Sequence, residues 1–322
     1  MRVLVTGGNG FVGSNLVTRL LDKNYDVVIL DDFTTGAERA SDRARIVQGS
    51  VTDVELLRSL FCENDFDLVY HLAAIVGVKN YLEKPFELID INIGGTKSIL
   101  AECMKHNTKL VLASTSELFG KNPNVPWKED DDRVVGNPKS ERWLYGNTKA
   151  VCEHMLYAAA KKFGLKMTIV RYYNLYGPRQ YPLNVAARWI CRALSGQPLH
   201  VYGDGSAIRC FTYIEDAVEG TIMAAEKSAG EAFNIGSDQP TKIVELAKKI
   251  VTLTKSERGI EFANPREKYG SGFEEIEVRV PSVEKARDIL GWSASTSLDM
   301  GLDKTVKWYD ENRSWWKSLE IF

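Results

Sequence analysis

The sequence predicts an α/β fold in which a doubly wound parallel sheet is followed by a smaller C-terminal domain. Short apolar segments rich in β-branched residues alternate with helical patterns through the first half of the chain. This order is typical of a parallel sheet with helices on both faces. The alternation starts with a glycine-rich turn near the N-terminus. It stops after Asn174, where glycine and proline interrupt the pattern.

The first predicted strand, Arg2–Thr6, leads into a turn with several glycines and then into a helix predicted over Phe11–Lys23. The glycines of this turn are Gly7, Gly8, Gly10 and Gly13. Glycine permits positive φ angles and lets the backbone approach a pyrophosphate closely. The free N–H groups in the first turn of the helix would then face the phosphates. The pattern therefore predicts a dinucleotide-binding turn.

An acidic pair follows the second predicted strand, Tyr25–Leu30. Asp31 lies about 20 residues past the glycine-rich turn, where dinucleotide-binding folds place the acid that binds a ribose. The alternative is that Asp31 caps a helix in an ordinary βαβ unit. A carboxylate here would repel a 2′-phosphate, so the residue favours NAD over NADP. The nearby Arg39 could instead bind a 2′-phosphate, so NADP stays an alternative.

The next elements continue the alternation. Strands are predicted at Arg45–Gln48, Asp67–Leu72, Lys109–Ala113 and Met167–Arg171. Helices are predicted at Asp53–Phe61, about Pro85–His106 and Leu144–Phe163. In open α/β sheets, ligands bind beyond the carboxyl ends of the strands. That rule selects five candidate binding segments, which are Gly7–Gly13, Asp31, His71–Ala74, Ser114–Gly120 and Arg171–Arg179.

The second half of the chain shows no strand–helix repeat of its own. The stretch 264–280 is irregular and charged. Helices are predicted at about 186–194, 213–227, 241–254, 282–290 and 298–312. We therefore expect a dinucleotide-binding domain formed by 1–173 plus about 211–240. A smaller substrate domain would comprise about 174–210 and 241–322.

The composition excludes several classes of function. A net charge of −2 over 322 residues gives no basic field for nucleic acid. No apolar run is long enough to span a membrane, and Met1 leads directly into the first strand, so we expect no signal peptide. The five cysteines are scattered, as expected for reduced thiols in a cytoplasmic protein. Cys103 and His106 share a helical face, but two ligands make no metal site, so we expect no metal.

Two segments carry candidate catalytic groups. The segment 114–117, Ser-Thr-Ser-Glu, ends a predicted strand, and Tyr145 and Lys149 lie on one face of a predicted helix. A nearby ammonium favours the phenolate and would lower the pKa of the tyrosine, which would make it a general base. The hydroxyl of Thr115 could bond the same substrate oxygen. A Tyr-x-x-x-Lys pair alone is common on helix surfaces, and its place after a dinucleotide fold gives it weight.

Taken together, these motifs resemble the extended short-chain dehydrogenase/reductase family over nearly the whole chain. The matching segments are Gly7-x-x-Gly10-x-x-Gly13, Asp31, His71-Leu72-Ala73-Ala74, Asn92-x-Gly94-Gly95-Thr96, Ser114-Thr115-Ser116, Tyr145-x-x-x-Lys149 and Arg171-Tyr172-Tyr173-Asn174. The resemblance implies a Rossmann fold, tightly held NAD and a nucleotide-diphosphate sugar as substrate, with a UDP-sugar favoured. It also implies hydride removal at C4 of the sugar and a homodimer that pairs through helices at about 92–106 and 145–163.

The resemblance also assigns binding roles to individual residues. The residues implied to hold NAD are Gly7, Gly10, Phe11, Val12, Gly13, Asp31, Asp32, Asp53, Val54, Leu72, Ala73, Ala74, Asn92, Tyr145, Lys149 and Tyr173. The residues implied to bind the nucleotide sugar are Asn80, Tyr81, Asn174, Arg188 and Arg209. Arg209 could equally be a surface arginine, but its neighbours 205–211 resemble the nucleotide-binding segment of the family.

Glu117 indicates one branch of this family. Epimerases of the family usually have a small or apolar residue at this position. The run Ser-Thr-Ser-Glu-Leu-Phe-Gly instead resembles the nucleotide-sugar decarboxylases and 4,6-dehydratases. A carboxylate beside C5 and C6 suits chemistry at those carbons. The alternative is a buried carboxylate that is paired with a neighbouring group.

Three further segments resemble decarboxylases. Asn80-Tyr81 resembles the UDP-xylose synthases, and 142–145, Arg-Trp-Leu-Tyr, resembles the UDP-glucuronate decarboxylase domain of the 4-amino-arabinose lipid A pathway. The segment 269–282 is similar to the C-terminal part of that enzyme, in which the arginine that matches Arg279 is catalytic. The alternative for this arginine is a solvated charge. Asp90 departs from the xylose synthases, which have lysine there, and this leaves the xylose product in doubt.

The resemblance therefore implies a UDP-glucuronate decarboxylase. Tyr145, paired with Lys149, would take the C4 hydroxyl proton while hydride passes to NAD. The C4 ketone makes the C6 carboxylate a β-keto acid, and Tyr145 and Thr115 would stabilise the enolate left by loss of CO2. Ser116, Glu117 and Arg279 would orient the carboxylate and supply a proton at C5. The product is a UDP-4-keto-pentose, or UDP-xylose if the hydride returns.

Three alternatives stay open. A 4,6-dehydratase of the GDP-mannose type shares Ser-Thr-Ser-Glu and would use Glu117 to take the C5 proton. Many other dehydratases have an aspartate at the position of Ser116. A 4-epimerase is the second alternative. A non-enzymatic NAD sensor or scaffold is the third, and the intact Thr115, Tyr145 and Lys149 argue against it.

Overall fold

The computed structural model describes residues 1–34, 40–264, 274 and 276–319, and for 78, 79 and 81 it describes the backbone alone. The strands are β1 (Arg2–Thr6), β2 (Asp26–Asp31), β3 (Arg45–Gln48), β4 (Leu68–His71), β5 (Lys109–Thr115), β6 (Met167–Tyr172), β7 (Leu175–Tyr176), β8 (Leu199–Tyr202), β9 (Ile208–Cys210), β10 (Thr212–Tyr213), β11 (Glu231–Ile235), β12 (Pro240–Lys242), β13 (Ile260–Ala263) and β14 (Val278–Arg279).

The helices lie between these strands and after them. They are α1 (Phe11–Asp22), α2 (Val54–Glu63), α3 (Val78–Glu83), α4 (Pro85–Ile89), α5 (Thr96–His106), α6 (Leu144–Phe163), α7 (Val185–Leu194), α8 (Ile214–Lys227), α9 (Ile243–Thr254), α10 (Leu298–Glu311) and α11 (Arg313–Lys317). Short helical turns cover Asp90–Gly95, Ser116–Phe119, Glu141–Trp143 and Ala286–Leu290.

A seven-stranded parallel sheet forms the centre of the structure. Its strand order is β3-β2-β1-β4-β5-β6-β11, and each neighbouring pair is parallel. The order reverses between β1 and β4, as in a doubly wound sheet. The predicted fold class is therefore confirmed. β11, which pairs with β6 at the edge of the sheet, is not among the strands predicted from the sequence.

Both faces of this sheet are buried, which explains why its strands are apolar throughout. Val3 and Val5 belong to a core cluster on one face, together with residues of α1 and α8. Leu4 and Val28 belong to a second cluster on the other face, together with residues of α2, α5 and α6. Successive residues of β1 thus supply opposite cores, as the two-residue period of a strand requires.

The long helix predicted over Pro85–His106 is divided in the structure. A π-helical turn at Asp90–Gly95 separates α4 from α5. Asn92 lies in this turn, and its side-chain amide bonds both the N–H and the C=O of Ile75. An inserted π turn lets a helix direct a side chain to a nearby loop, and such turns are frequent at functional sites.

The second half contains several short strands that the sequence analysis does not predict. β9 pairs with β12 on one side and with β14 on the other. β14 lies inside the stretch 264–280 that was expected to be irregular, and it carries Arg279. Two-residue strands have no readable periodicity, so only their pairing with distant segments reveals them. Near the C-terminus, Trp316 is buried and its indole N–H donates to the carbonyl of Tyr309.

The described residues also bear on membrane-spanning helices, metal ligands and cysteine pairing. Among the residues that the structure describes, no helix has both the length and the apolar character needed to cross a membrane. Within the same residues, no three His, Cys, Asp or Glu side chains come together as metal ligands. All five cysteines are free thiols.

The turn between β1 and α1 depends on glycine at position 13. A Cβ on Gly13 would lie 2.1 Å from the carbonyl oxygen of Gly7 and 2.7 Å from the Cα of Gly8. We expect Gly13→Ala to lower the free energy of unfolding by at least about 1–3 kcal/mol, because the backbone must shift. Urea unfolding measures this loss. Gly94→Ala is the matched control, because a Cβ on Gly94 would lie 3.9 Å from its nearest neighbour, the Cγ2 of Thr52, which is an ordinary van der Waals contact. A Gly13→Ala variant as stable as the control would contradict the packing described.

Candidate active site

The glycine-rich turn lies against the end of β4, at the point where the strand order reverses. Gly7 has φ +68°, and a Cβ on it would lie 2.8 Å from the backbone nitrogen of Ala73. Leu72, Ala73 and Ala74, which follow β4, are partly exposed beside it. No side chain of the described residues caps the N-terminus of α1, and the first turn of this helix contains no acidic residue. This helix end is thus available to an anion.

Asp31 ends β2 and turns its carboxylate toward the glycine-rich turn. One carboxylate oxygen accepts from the N–H of Asn9 and the other from the N–H of Phe33, both at 2.8 Å. Asp31 is 8% exposed, and this burial raises the pKa of its carboxyl above the ordinary value. The side-chain Nδ2 of Asn9 is buried without a hydrogen-bond partner among the described residues. Asp31 caps none of the helices that the structure describes, which disagrees with that alternative.

The other acids predicted to bind the cofactor have partners within the protein. Asp32 is exposed and bonds the backbone and hydroxyl of Thr34. Asp53 caps α2 by accepting from the N–H of Leu56 at 3.0 Å. Val54, at the start of that helix, is exposed. These positions stay predictions as cofactor contacts, as do Gly10, Phe11 and Val12, which lie in the turn and the first residues of α1.

Two further residues predicted to contact the cofactor are fully buried. Asn92 uses its amide on Ile75 and on the hydroxyl of Thr148 at 3.2 Å. Tyr173 has no exposed surface, and its hydroxyl donates to Asn234 at 3.4 Å. The structure gives both side chains a packing role, and their contact with a cofactor stays a prediction.

His71 ends β4 directly beneath these loops. Its two ring nitrogens contact the hydroxyls of Thr6 at 2.8 Å and Thr96 at 3.1 Å. Complete burial lowers the pKa of His71 to about 3. The ring is therefore neutral at physiological pH, and it ties β1, β4 and α5 together rather than exchanging protons.

The predicted catalytic groups Thr115, Tyr145 and Lys149 come together at the end of β5. The hydroxyl of Thr115 hydrogen bonds that of Tyr145, and Lys149 follows one turn later on α6. A Cβ on Gly146 would lie 2.8 Å from the carbonyl oxygen of Glu117, so glycine is needed where α6 meets the 116–119 turn. Ser116 is buried at the start of that turn.

The expected effect of Lys149 on Tyr145 is wrong in this structure. The pKa of Tyr145 is raised above its ordinary value, first by burial and then by the negative charge of Glu117. Burial also lowers the pKa of the Lys149 ammonium. The bond from Thr115 acts in the opposite direction on Tyr145 and is the smaller effect. Spacing along a helix predicts proximity but not the desolvation that accompanies it.

Glu117 lies between two arginines. Arg142 Nη1 is 2.7 Å from one carboxylate oxygen, and Arg279 Nη1 is 3.4 Å from the other. These two positive charges hold the pKa of Glu117 at about 2, although burial acts to raise it. The alternative of a paired carboxylate is therefore correct as a description of its contacts. An ionised Glu117 cannot supply the C5 proton, which corrects the role expected for it.

Arg279 reaches the site through strand pairing far along the chain. β14 places Arg279 opposite Arg209 of β9. The next residue, Val280, accepts a hydrogen bond at its carbonyl from the backbone N–H of Trp127 at 2.9 Å. Arg279 is 6% exposed, and its Nε has no hydrogen-bond partner among the described residues. It is thus a buried guanidinium, and the alternative of a solvated charge is wrong.

The predicted substrate residues are only partly brought together. Asn174 bonds the carbonyl of Cys210, and Arg209 bonds the carbonyls of Ile208 and Glu277, so both lie beside β9. Arg188 donates to the carbonyl of Leu183 and Asn80 to that of Val76. The side chain of Tyr81 lies outside the described residues, as do Arg39 and most of the segment 269–275.

Two groups that shape this site carry no role predicted from the sequence. One is Arg142, which belongs to a segment that resembles decarboxylases. Glu153 of α6 pairs with Arg171 of β6 through two contacts of 2.6 and 3.0 Å, and Ser114 donates to the same carboxylate. A glutamate on the buried face of a predicted helix was the available signal for this second pair.

The profile of the NAD dependent epimerase/dehydratase family matches residues 3–236 of the chain. The chain belongs to this family. The resemblance to extended short-chain dehydrogenases/reductases and the prediction of NAD as cofactor are thus confirmed.

Three relatives show how closely members of this epimerase/dehydratase family resemble the chain. UDP-N-acetyl-alpha-D-glucosaminuronate decarboxylase from Bacillus cytotoxicus is 42% identical over 96% of this chain and 98% of its own length. UDP-glucuronic acid decarboxylase 1 from Danio rerio is 32% identical over 96% of this chain and 72% of its own. The crystal structure of UDP-glucose 4-epimerase from Thermotoga maritima with UDP-glucose has a TM-score of 0.90 at 31% identity, covering 97% and 100% of the two chains.

The residues of the first half fit the NAD of the family. The uncapped N-terminus of α1 suits a pyrophosphate, and the space kept free by Gly7 and Gly13 suits a close backbone approach. The carboxylate of Asp31, fixed by two N–H groups, suits a ribose diol. The unpartnered Nδ2 of Asn9 adds a buried donor beside it.

We expect Asp31→Ala to weaken NAD binding about tenfold or more, because a hydrogen bond to a charged acceptor contributes about 1.5–3 kcal/mol. Discrimination against NADP should also fall, since the repelling carboxylate is gone. Isothermal titration calorimetry with both cofactors measures the two effects. Asp26→Ala, at the exposed start of the same strand, is the control. Equal NAD affinities of the two variants would refute the assignment of Asp31.

Proposed function

We propose that this chain is an NAD-dependent decarboxylase of a UDP-hexuronate. The observation that carries the proposal is the charge of the cluster formed by Glu117, Arg142 and Arg279. Two buried guanidiniums face one carboxylate, so the charges of these three side chains sum to +1. A sugar with a C6 carboxylate brings the matching negative charge, and arginine is suited to bind it through a planar fork.

The relatives support the same substrate class. One is named for decarboxylation of UDP-N-acetylglucosaminuronate and another for that of UDP-glucuronic acid. Both substrates carry the C6 carboxylate, and they differ at C2 of the sugar. We propose UDP-glucuronate as the substrate because segments 142–145 and 269–282 resemble UDP-glucuronate decarboxylases. UDP-N-acetylglucosaminuronate is the second substrate to test, because the decarboxylase named for it is 42% identical to this chain.

The residues near β5 then have separate roles. When bound, NAD supplies the acceptor for the C4 hydride. Tyr145 takes the proton of the C4 hydroxyl in its phenolate form, which is the minor form in the unliganded protein because burial raises its pKa. Thr115 stabilises the enolate oxygen once CO2 has left, and a water molecule supplies the proton that C5 then gains. Lys149 adds a positive charge one turn along α6. Arg279 binds the C6 carboxylate, and Ser116 lies within the turn that faces it.

The chain divides between two binding tasks. We propose that 1–173 with about 211–240 holds the cofactor, and β11 supports this because it extends the main sheet. About 174–210 and 241–322 would hold the nucleotide sugar. The short strands β8, β9, β12, β13 and β14 pair only among themselves in this part.

A 4,6-dehydratase is the second candidate, and one observation favours it. The carboxylate of Glu117 is held ionised, which suits a base that removes a C5 proton. The excess positive charge argues against it, because a neutral hexose would leave that charge unbalanced. The two functions release different products, CO2 or water.

We expect the purified chain with NAD to release CO2 from UDP-glucuronate, UDP-N-acetylglucosaminuronate or both, and to leave UDP-glucose and GDP-mannose unchanged. Arg279→Ala should lose at least about tenfold in rate while it still binds UDP, because one charge-assisted contact is lost. Mass spectrometry of the sugar products and trapping of CO2 measure these results. Arg287→Ala, an exposed arginine paired with Asp238, is the control.

Elimination of water or inversion at C4 without CO2 would refute the decarboxylase. Release of CO2 at equal rates by Arg279→Ala and wild type would retain the reaction but remove the role of this arginine.

We propose that the chain is a homodimer that pairs through α5 and α6, as the family resemblance implies. These adjacent helices expose apolar side chains, among them Met104, Val151 and Tyr157, which are 38–42% exposed. Val151→Glu should place a charge in the interface and yield a monomer in light scattering at micromolar concentration. Met300→Glu, at an exposed apolar position on α10, is the control. A wild-type monomer would contradict the proposal.

We also propose that the protein acts in the cytoplasm. Its five cysteines are unpaired, and four of them are buried. Free thiols persist in a reducing compartment. Targeting of a labelled copy to the cytoplasm in the source cells would support this assignment.

A further inference from the structure

The two arginines beside Glu117 do not hold it equally. Arg142 contacts one carboxylate oxygen at 2.7 Å, whereas Arg279 contacts the other at 3.4 Å. The first distance is that of a strong charge-assisted hydrogen bond, and the second is at the limit of one. Both guanidiniums have 8% of their side-chain surface exposed and Glu117 has 23%, so solvent screens the two pairs only in part.

Arg142 is fixed by its own surroundings. It lies in the helical turn Glu141–Trp143, directly before α6, and its guanidinium stacks over the Trp143 ring at 5.5 Å. The indole N–H of Trp143 donates to Glu274 at 3.3 Å. Gly136 packs so closely on this indole that a Cβ would lie 2.1 Å from its nitrogen. The guanidinium of Arg142 is therefore held in place by its packing on Trp143.

Arg279 is held less tightly. Its Nε is buried without a partner among the described residues, and its bond to Glu117 is the longer one. A buried guanidinium with unused N–H groups can donate to a further carboxylate, whereas a guanidinium whose N–H groups are all bonded to Glu117 cannot.

We propose that Arg142 is a positioning residue that neutralises Glu117 and thereby keeps Arg279 available for the C6 carboxylate of the substrate. This inference rests on the proposed function for the identity of that carboxylate. Its electrostatic part, the control of Glu117 by Arg142, stands on the unliganded protein alone. Arg142 touches no reacting atom in this scheme and acts through Glu117.

Among the residues that the structure describes, the groups that face Glu117 lie on four elements. They come from the 141–143 turn (Arg142), from β14 (Arg279), from α6 (Tyr145) and from β5, where the Thr115 hydroxyl accepts from the N–H of Glu117. Of these groups, the two arginines stabilise the charged carboxylate, and they hold its pKa at about 2 against an ordinary 4.5. Removing one arginine must therefore move this pKa upward, and the remaining arginine must turn more fully toward Glu117.

The test compares Arg142→Gln with Arg142→Lys in the full-length protein. Glutamate labelled with ¹³C at the side-chain carboxyl is titrated from pH 4 to 7 by NMR, and Glu117→Gln identifies the Glu117 signal. We expect this signal to be constant in the wild type and in Arg142→Lys. In Arg142→Gln it should titrate at the acid end of the range. Arg133→Gln is the matched control, because Arg133 bonds the carbonyl of Leu118 and not the carboxylate of Glu117.

A second readout concerns substrate recognition. Calorimetry compares the affinity for UDP-glucuronate with that for UDP in each variant. Arg142→Gln should reduce this preference about tenfold, because Arg279 is then engaged by Glu117. The double variant Arg142→Gln/Glu117→Gln should recover it, since Arg279 is released. A purely structural role of Arg142 would not be corrected by a second substitution.

An unchanged Glu117 titration in Arg142→Gln overturns the inference, and so does a double variant that does not recover the preference. If the wild type shows no preference for UDP-glucuronate but Glu117 titrates as expected, the proposed function fails while the control of Glu117 by Arg142 stands. If Arg142→Gln does not fold, calorimetry is carried out on Arg142→Lys instead. A preference for UDP-glucuronate over UDP equal to that of the wild type supports the role of a positive charge at position 142, and loss of this preference opposes it.

Discussion

The structure depends on a close approach of two backbones at the point where the strand order reverses. Gly7 lies against Ala73, and Gly13 lies against Gly7, with no room for a Cβ at either glycine. This contact brings the start of α1 to the end of β4 and leaves the first turn of α1 without a cap. An uncapped helix end beside a gap between two strands is a site for a phosphate group. The cofactor half of the protein follows from this one constraint.

A different constraint shapes the catalytic half, where several charged groups are buried together. A buried charge is stable only when it is paired and hydrogen bonded. Glu117, Arg142 and Arg279 come from three separate elements and satisfy one another, and Glu153 and Arg171 do the same beneath β5. The pairing fixes how the 116–119 turn, α6 and β14 meet. The position of Tyr145 beside Thr115 is therefore set by ion pairs as well as by apolar packing.

The sequence predicts the local parts of this arrangement well and the distant pairings poorly. Strands such as β1 and β5 are apolar runs between turn residues, so their residues alone identify them. β14 has two residues, and it forms because Val278 and Arg279 pair with β9 some seventy residues earlier in the chain. In the same way, the acid pKa of Glu117 depends on an arginine 162 residues away. The raised pKa of Tyr145 was missed because burial does not follow from a four-residue spacing.

The fold alone cannot decide which sugar this enzyme modifies. A UDP-glucose 4-epimerase has nearly the same backbone, with a TM-score of 0.90, although its substrate has no carboxylate. We infer that side chains at the end of β5 make the difference, because this chain places one carboxylate and two guanidiniums there. Arg142 cancels the charge of Glu117 at short range, which leaves Arg279 as the positive charge in excess. A neutral sugar would bury that charge without a partner, whereas a hexuronate would supply one. In the proposed function, selection of a uronate follows from charge balance in a site whose backbone resembles that of an enzyme acting on a neutral sugar.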